Sequence, residues 1–148
     1  MFMTKEERRI IDGILYSYTH LNNDIKELRA ELEYIKHNYN GAAAVKLNNN
    51  VSSKTNIITS NVEREVLDRE KLINKLNKTL AWKELRIAKL ENILDVFNDE
   101  IKTILKLRYF KCKTLKEISK KVGISEDRVT RRINNALEQV QYLVLSIV

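Results

Sequence analysis

Apolar residues recur every three or four positions along most of this chain, and the recurrence falls into separate blocks. In the first block Ile11, Ile14, Tyr18, Leu21, Ile25, Leu28, Leu32 and Ile35 alternate steps of three and four. That spacing is the signature of a helix with one apolar seam, and four such heptads predict a coiled-coil or helical-hairpin arm over residues 1–38. Thr4, backed by Glu6 and Glu7, marks its start, and Asn40-Gly41 its end. Tyr18 sits on the seam and reads as a packing residue. His20 and His37 have no partner ligands at metal-binding spacing.

Residues 39–60 break the periodicity and are rich in Asn, Ser and Thr, which predicts a polar, flexible loop. Ser60 with Glu63 then offers a capping box for a long second helix over 61–97. Its seam runs through Val66, Ile73, Leu76, Leu80, Ile87, Leu90, Leu94 and Phe97, interrupted by Arg69 and Lys83. Leu72, Trp82, Leu85 and Ile93 add apolar surface beside the seam, so this helix is expected to pack against more than one neighbour. An elongated molecule follows, either a hairpin of the two long helices or a dimer along them.

The pattern tightens after residue 98. Asn98 with Asp99 and Glu100 restarts a helix through Ile101, Ile104, Leu105, Leu107 and Phe110. Thr114 and Glu117 form a further capping box, and Leu115, Ile118 and Val122 give a short stripe. Gly123 stands where that helix must stop, since a left-handed C′ position favours a residue without Cβ. Ile124 plugs the turn, Ser125 caps the next helix, and Glu126 and Asp127 suit its positive end. Val129, Ile133, Ala136 and Val140 carry the buried face of that last helix. Two short capped helices around Gly-Ile, the second one basic, make a helix-turn-helix of the kind that reads the major groove. The expected fold class is all-α: long coiled-coil-like helices followed by a helix-turn-helix domain at 98–148.

Composition sharpens this picture. The chain has no proline and three glycines in 148 residues, a profile of long helices. Its net charge is +7, and the excess is local: residues 98–148 hold eleven basic and six acidic side chains. A basic surface beside a helix-turn-helix is the electrostatic footprint expected for a polyanion. Cys112 is the only cysteine, which excludes an internal disulfide, and no Cys/His cluster suggests zinc. No phosphate-cradling glycine loop and no nucleophile with a nearby histidine points to an enzyme, and no cofactor is expected. The acidic residues Glu63, Glu65, Asp68 and Glu70 alternate with basic ones and read as a solvated face. The apolar start is too short for a signal segment and no run reaches membrane-spanning length, so a cytoplasmic protein is expected.

The stretch ILKLRYFKCKTLKEISKKVGISEDRVTRRINNALEQV resembles the fourth conserved region of bacterial sigma factors, the part that binds the upstream promoter element. The matching positions are Leu107-Arg108-Tyr109, Glu117-Ile118, Gly123-Ile124-Ser125, and Val129, Arg132 and Ala136. The wider layout is similar to phage late-transcription activators of the RinA/ArpU type. These have a coiled-coil first half, a polar loop, a Ser-x-Val-Glu start (Ser60, Val62 and Glu63 here), a long helix and a sigma-like module. Asn61 departs from the proline often found there. The resemblance implies a regulator that binds a promoter and influences host RNA polymerase in a bacterial cell. No segment resembles the sigma region that melts the promoter.

On the helix beginning at Ser125, the residues facing away from Val129, Ile133 and Ala136 are the candidates for base reading. Arg128 and Arg131 suit guanine O6 and N7, and Asn135 and Asn134 suit adenine, each through paired hydrogen bonds. Asp127 can accept from cytosine or favour the helix end. Thr130 and Arg132 lie toward the flanks and suit phosphates, as do Lys113, Thr114 and Lys116 at the start of the first short helix and Ser125 at the second. The expected partner is promoter duplex DNA, with host RNA polymerase and a second copy of the chain as further partners. A small-terminase-like packaging protein and a coiled-coil adaptor without DNA binding are the alternative readings.

Overall fold

The computed structural model describes residues 3–48 and 56–147, with side chains described over 3–38 and 61–147. Every element among them is helical. In chain order they are α1 (Lys5–Asn48), α2 (Asn56–Leu94), α3 (Asp99–Leu105), a π-helical turn (Lys106–Phe110), α4 (Leu115–Val122) and α5 (Glu126–Leu145). None of the described helices is long and apolar enough to cross a membrane.

Helical backbone enters the expected loop from both sides, through Asn48 and from Asn56. Ala42–Ala44 explains the first extension, because alanine is the best helix former. Ser60 therefore lies inside α2 rather than at its cap. Residues 49–55, the rest of that expected loop, lie outside the described residues.

The chain divides into two compact units, Met1–Asn23 with Glu84–Val148, and Asp24–Lys83. The smaller unit pairs the middle of α1 with α2, which runs back along it. Ile25 and Leu32 are buried there, and Lys83 Nζ lies 2.8 Å from Asp24 Oδ2 across the pair. Leu72, Trp82 and Leu85, from which extra packing is expected, are exposed. They lie away from the Ile73, Leu76 and Leu80 seam.

In the larger unit α3, the π-helical turn, α4 and α5 close on a single core. Ile104, Leu105, Ile118, Val129, Leu137 and Val144 are all buried in it. The first turns of α1 belong to the same core. Ile11 and Leu15 are 0% and 1% exposed, and Leu90, Ile93 and Leu94 from the end of α2 join them. The sequence places 1–38 in an arm of its own; here its first five turns are packed into the helix-turn-helix unit. Tyr18 is a packing residue: its ring stacks on Phe110, with centroids 3.6 Å apart and planes 9° off parallel. Its hydroxyl donates to Glu91 Oε1 at 2.8 Å, and burial with that carboxylate pushes the phenol above its ordinary range.

Local chemistry sets each helix end. The Thr4 hydroxyl oxygen accepts from Glu7 N–H, and Asn98 Oδ1 accepts from Ile101 N–H. After Leu105 the backbone widens, with Lys111 N–H donating to Lys106 O at 2.9 Å, a five-residue step. Cys112 then adopts a positive φ of 52° and turns the chain into α4. At the end of α4, Gly123 has φ 81° and its N–H bonds Ser119 O at 2.9 Å. A Cβ at Gly123 would meet nothing within 4 Å, so backbone conformation alone opposes substitution. Gly123→Ala is therefore expected to cost about 1–2 kcal/mol in urea denaturation, the left-handed penalty for an L residue. A neutral result would mean that the turn relaxes out of this conformation.

Candidate nucleic-acid interface

The turn between α4 and α5 is held by side chains as well as by Gly123. The Ser119 hydroxyl donates to Ile124 O, fixing the loop so that Ile124 can pack against the core. The Ser125 hydroxyl oxygen accepts from Arg128 N–H at 3.3 Å and so starts α5 at a defined point. At the head of α4 the Thr114 hydroxyl oxygen accepts from Glu117 N–H at 3.2 Å, while its proton goes to Glu117 Oε1 at 3.1 Å. Arg108 Nη1 donates to Lys113 O at 3.3 Å and braces the connection.

Against this frame α5 is two-sided. Val129, Ile133, Ala136, Leu137 and Val140 are buried, whereas Asp127, Arg128, Thr130, Arg131 and Asn135 are exposed. Arg128, Arg131 and Asn135 recur at spacings of three and four, so one stripe of α5 presents two guanidinium groups and an amide. Lys113, Thr114, Lys116, Lys120 and Lys121 are exposed on and before α4. Glu126 and Asp127 occupy the first turn of α5, where its dipole favours negative charge.

Several expected contacts are spoken for inside the protein. Asn134 is half-buried, and its Oδ1 accepts from Arg8 Nη1 of α1, which takes it off the exposed stripe. Arg132 is ion-paired to Glu100 in the first turn of α3. The Thr130 hydroxyl donates back to Glu126 O at 3.0 Å, and that of Thr114 is used by Glu117, so neither proton faces outward. Lys113 lies 3.7 Å from Glu117 with both side chains about half exposed, a pair that water screens. Lys116 is exposed, and Ser125 keeps its hydroxyl proton while its oxygen serves the cap.

The contact that sequence reading missed runs behind α5. Arg8 Nε lies 3.1 Å from Asp12 Oδ1, and the Tyr109 hydroxyl donates to the same oxygen at 2.7 Å. Arg8 also reaches Asn134, so α1, the π-helical turn and α5 share one polar chain. Burial and the neighbouring carboxylate push the Tyr109 phenol far above its ordinary value, keeping it a hydrogen-bond donor throughout the physiological range. Tyr16 packs edge-on to Tyr109 with centroids 4.8 Å apart. The only trace of this in the sequence is the i, i+4 spacing of Arg8 and Asp12, which surface pairs share.

Residues 93–141 match the family model Sigma-70, region 4. No curated protein and no solved structure matches the chain. The matched segment runs from the last two residues of α2 through most of α5 and contains the whole helix-turn-helix. The match is to a helix-turn-helix domain of the region 4 kind, in line with what the Gly123-Ile124-Ser125 turn and the Leu107-Arg108-Tyr109 stretch lead one to expect. Arg8, Asp12, Ile11 and Leu15 lie outside that segment, yet they complete its core and its polar chain.

Proposed function

We propose that the chain is a sequence-specific double-stranded DNA-binding regulator that acts at a promoter with host RNA polymerase, as phage late-gene activators do. The observation that carries the proposal is the division of α5: Arg128, Arg131 and Asn135 outward, Val129, Ile133 and Ala136 beneath them in the core. The arginines read guanine and Asn135 reads adenine in the major groove. Lys113, Lys116 and the free N–H groups at the heads of α4 and α5 hold phosphates and fix the register. The sigma-type module supplies promoter contact.

Selection of duplexes from a random library with the purified chain, followed by footprinting, tests this. One enriched motif lying upstream of an operon is the expected outcome. With about five phosphates neutralised per module, affinity falls by roughly four to five decades for a tenfold rise in salt. Salt-insensitive binding, or no duplex retained at low salt, contradicts the proposal.

A further inference from the structure

The unit Asp24–Lys83 presents a face that its own two helices do not cover. Asp24, Glu27 and Glu31 of α1 line a groove of about 240 Å³ together with Thr79 and Lys83 of α2. Tyr34 continues the α1 stripe three residues past Glu31 and is 69% exposed. On α2 the stripe through Thr79 contains Leu72, Lys75 and Trp82, with Leu72 and Trp82 at 42% and 54% exposed. Side chains three, four and seven apart share a helix face, so both stripes border this groove. Three of the four large apolar residues exposed among the described residues of this unit therefore lie on one side of the helix pair.

The two stripes are complementary in charge and identical in spacing. One reads Asp24, Glu27, Glu31, Tyr34, with steps of three, four and three. The other reads Leu72, Lys75, Thr79, Trp82, with the same steps, and Lys78 flanks it. The Asp24–Lys83 ion pair sets the register, placing Trp82 level with Asp24 and Leu72 level with Tyr34.

We propose that this face binds the same face of a second copy of the chain, about a two-fold axis running along the helix pair. That axis lays α1 on the partner's α2 at the same level. Tyr34 then meets the partner's Leu72, Glu31 meets the partner's Lys75, and Glu27 meets the partner's Thr79 and Lys78. Asp24 lies over the edge of the partner's Trp82. An axis across the helix pair instead sets acid on acid, so charge selects the first arrangement. The contact is isologous, and each pairing occurs twice. The proposal concerns assembly and stands independently of the DNA reading.

The test uses the full-length chain, with light scattering after size exclusion across a concentration series. The wild type shows a monomer–dimer equilibrium that shifts toward monomer as salt rises. Glu27→Lys with Glu31→Lys, and separately Lys75→Glu with Lys78→Glu, each set like charges opposite one another and leave a monomer. All four residues are exposed, so the helical circular dichroism of both variants matches the wild type. Mixing the two variants restores a dimer, because each reversed stripe again faces its opposite. A wild type that is monomeric at every concentration, variants that dimerise as the wild type does, or a mixture that stays monomeric overturns the proposal.

Discussion

Arg131→Ala weakens binding to the preferred duplex by about 1–3 kcal/mol, roughly fivefold to 150-fold, and relaxes specificity at one base position. Arg128→Ala does the same at a neighbouring position, since Arg128 lies in the first turn of α5 and Arg131 follows three residues on. Both side chains are exposed and neither caps or braces the fold, so the folded state is retained in each variant. The informative control is Arg132→Ala. It removes as much charge from the same helix, but Arg132 is paired to Glu100 on the flank toward α3. Its loss costs stability of order 0–1 kcal/mol, as part-exposed pairs do, and leaves base preference unchanged. Gel shifts against the selected duplex and a set of single-base variants separate the three. Equal losses from all three substitutions with no change in preference would falsify base reading and leave only a general attraction for phosphate.

The helix-turn-helix was legible in the chain because every local signal there agrees. Thr114, Gly123 and Ser125 are end signals with a mechanism, and Val129, Ile133 and Ala136 have a period that fits one helix face only. The structure puts each of them where that chemistry requires. The neighbourhood of α5 was less legible. Arg132 and Asn134 have the right residue types and the right helix for DNA contact. What engages them inside the protein is Glu100 and Arg8, thirty-two and 126 positions away in sequence, and periodicity carries no information at that range. The first turns of α1 show the same limit. Ile11, Ile14 and Tyr18 continue a heptad seam without a break, yet Leu15, off that seam, is among the most buried residues. One helix serves two different neighbourhoods along its length, and a uniform seam hides where the change occurs. The π-helical turn at Lys106–Phe110 left no residue-level mark, because it adds one backbone step without glycine or proline.

Leu15→Ala or Ile11→Ala destabilises the helix-turn-helix by about 2–5 kcal/mol, although neither residue lies within the matched segment 93–141. Both side chains are fully buried against a core that includes Ile104, Leu105 and Tyr109, so truncation removes packing that nothing nearby can replace. That cost is a large share of the roughly 5–15 kcal/mol that holds an ordinary domain together. Ile10→Ala is the matched control: it is the neighbouring residue, on the same helix, and 45% exposed, and its cost should stay within about 0.5 kcal/mol. Urea denaturation followed by circular dichroism measures all three, and a lower midpoint at constant slope identifies lost stability rather than a changed unfolded state. Hydrogen exchange locates the effect, since amides of α4 and α5 open faster in the Leu15 variant if α1 and the reading module are one cooperative body. Protection in α5 that is unchanged by Leu15→Ala would make the first turns of α1 an appendage. The polar chain from Asn134 through Arg8 and Asp12 to Tyr109 would then be an incidental contact. On the packing seen here, removing residues 1–23 takes away part of the floor on which the recognition helix rests, and DNA affinity falls with the fold.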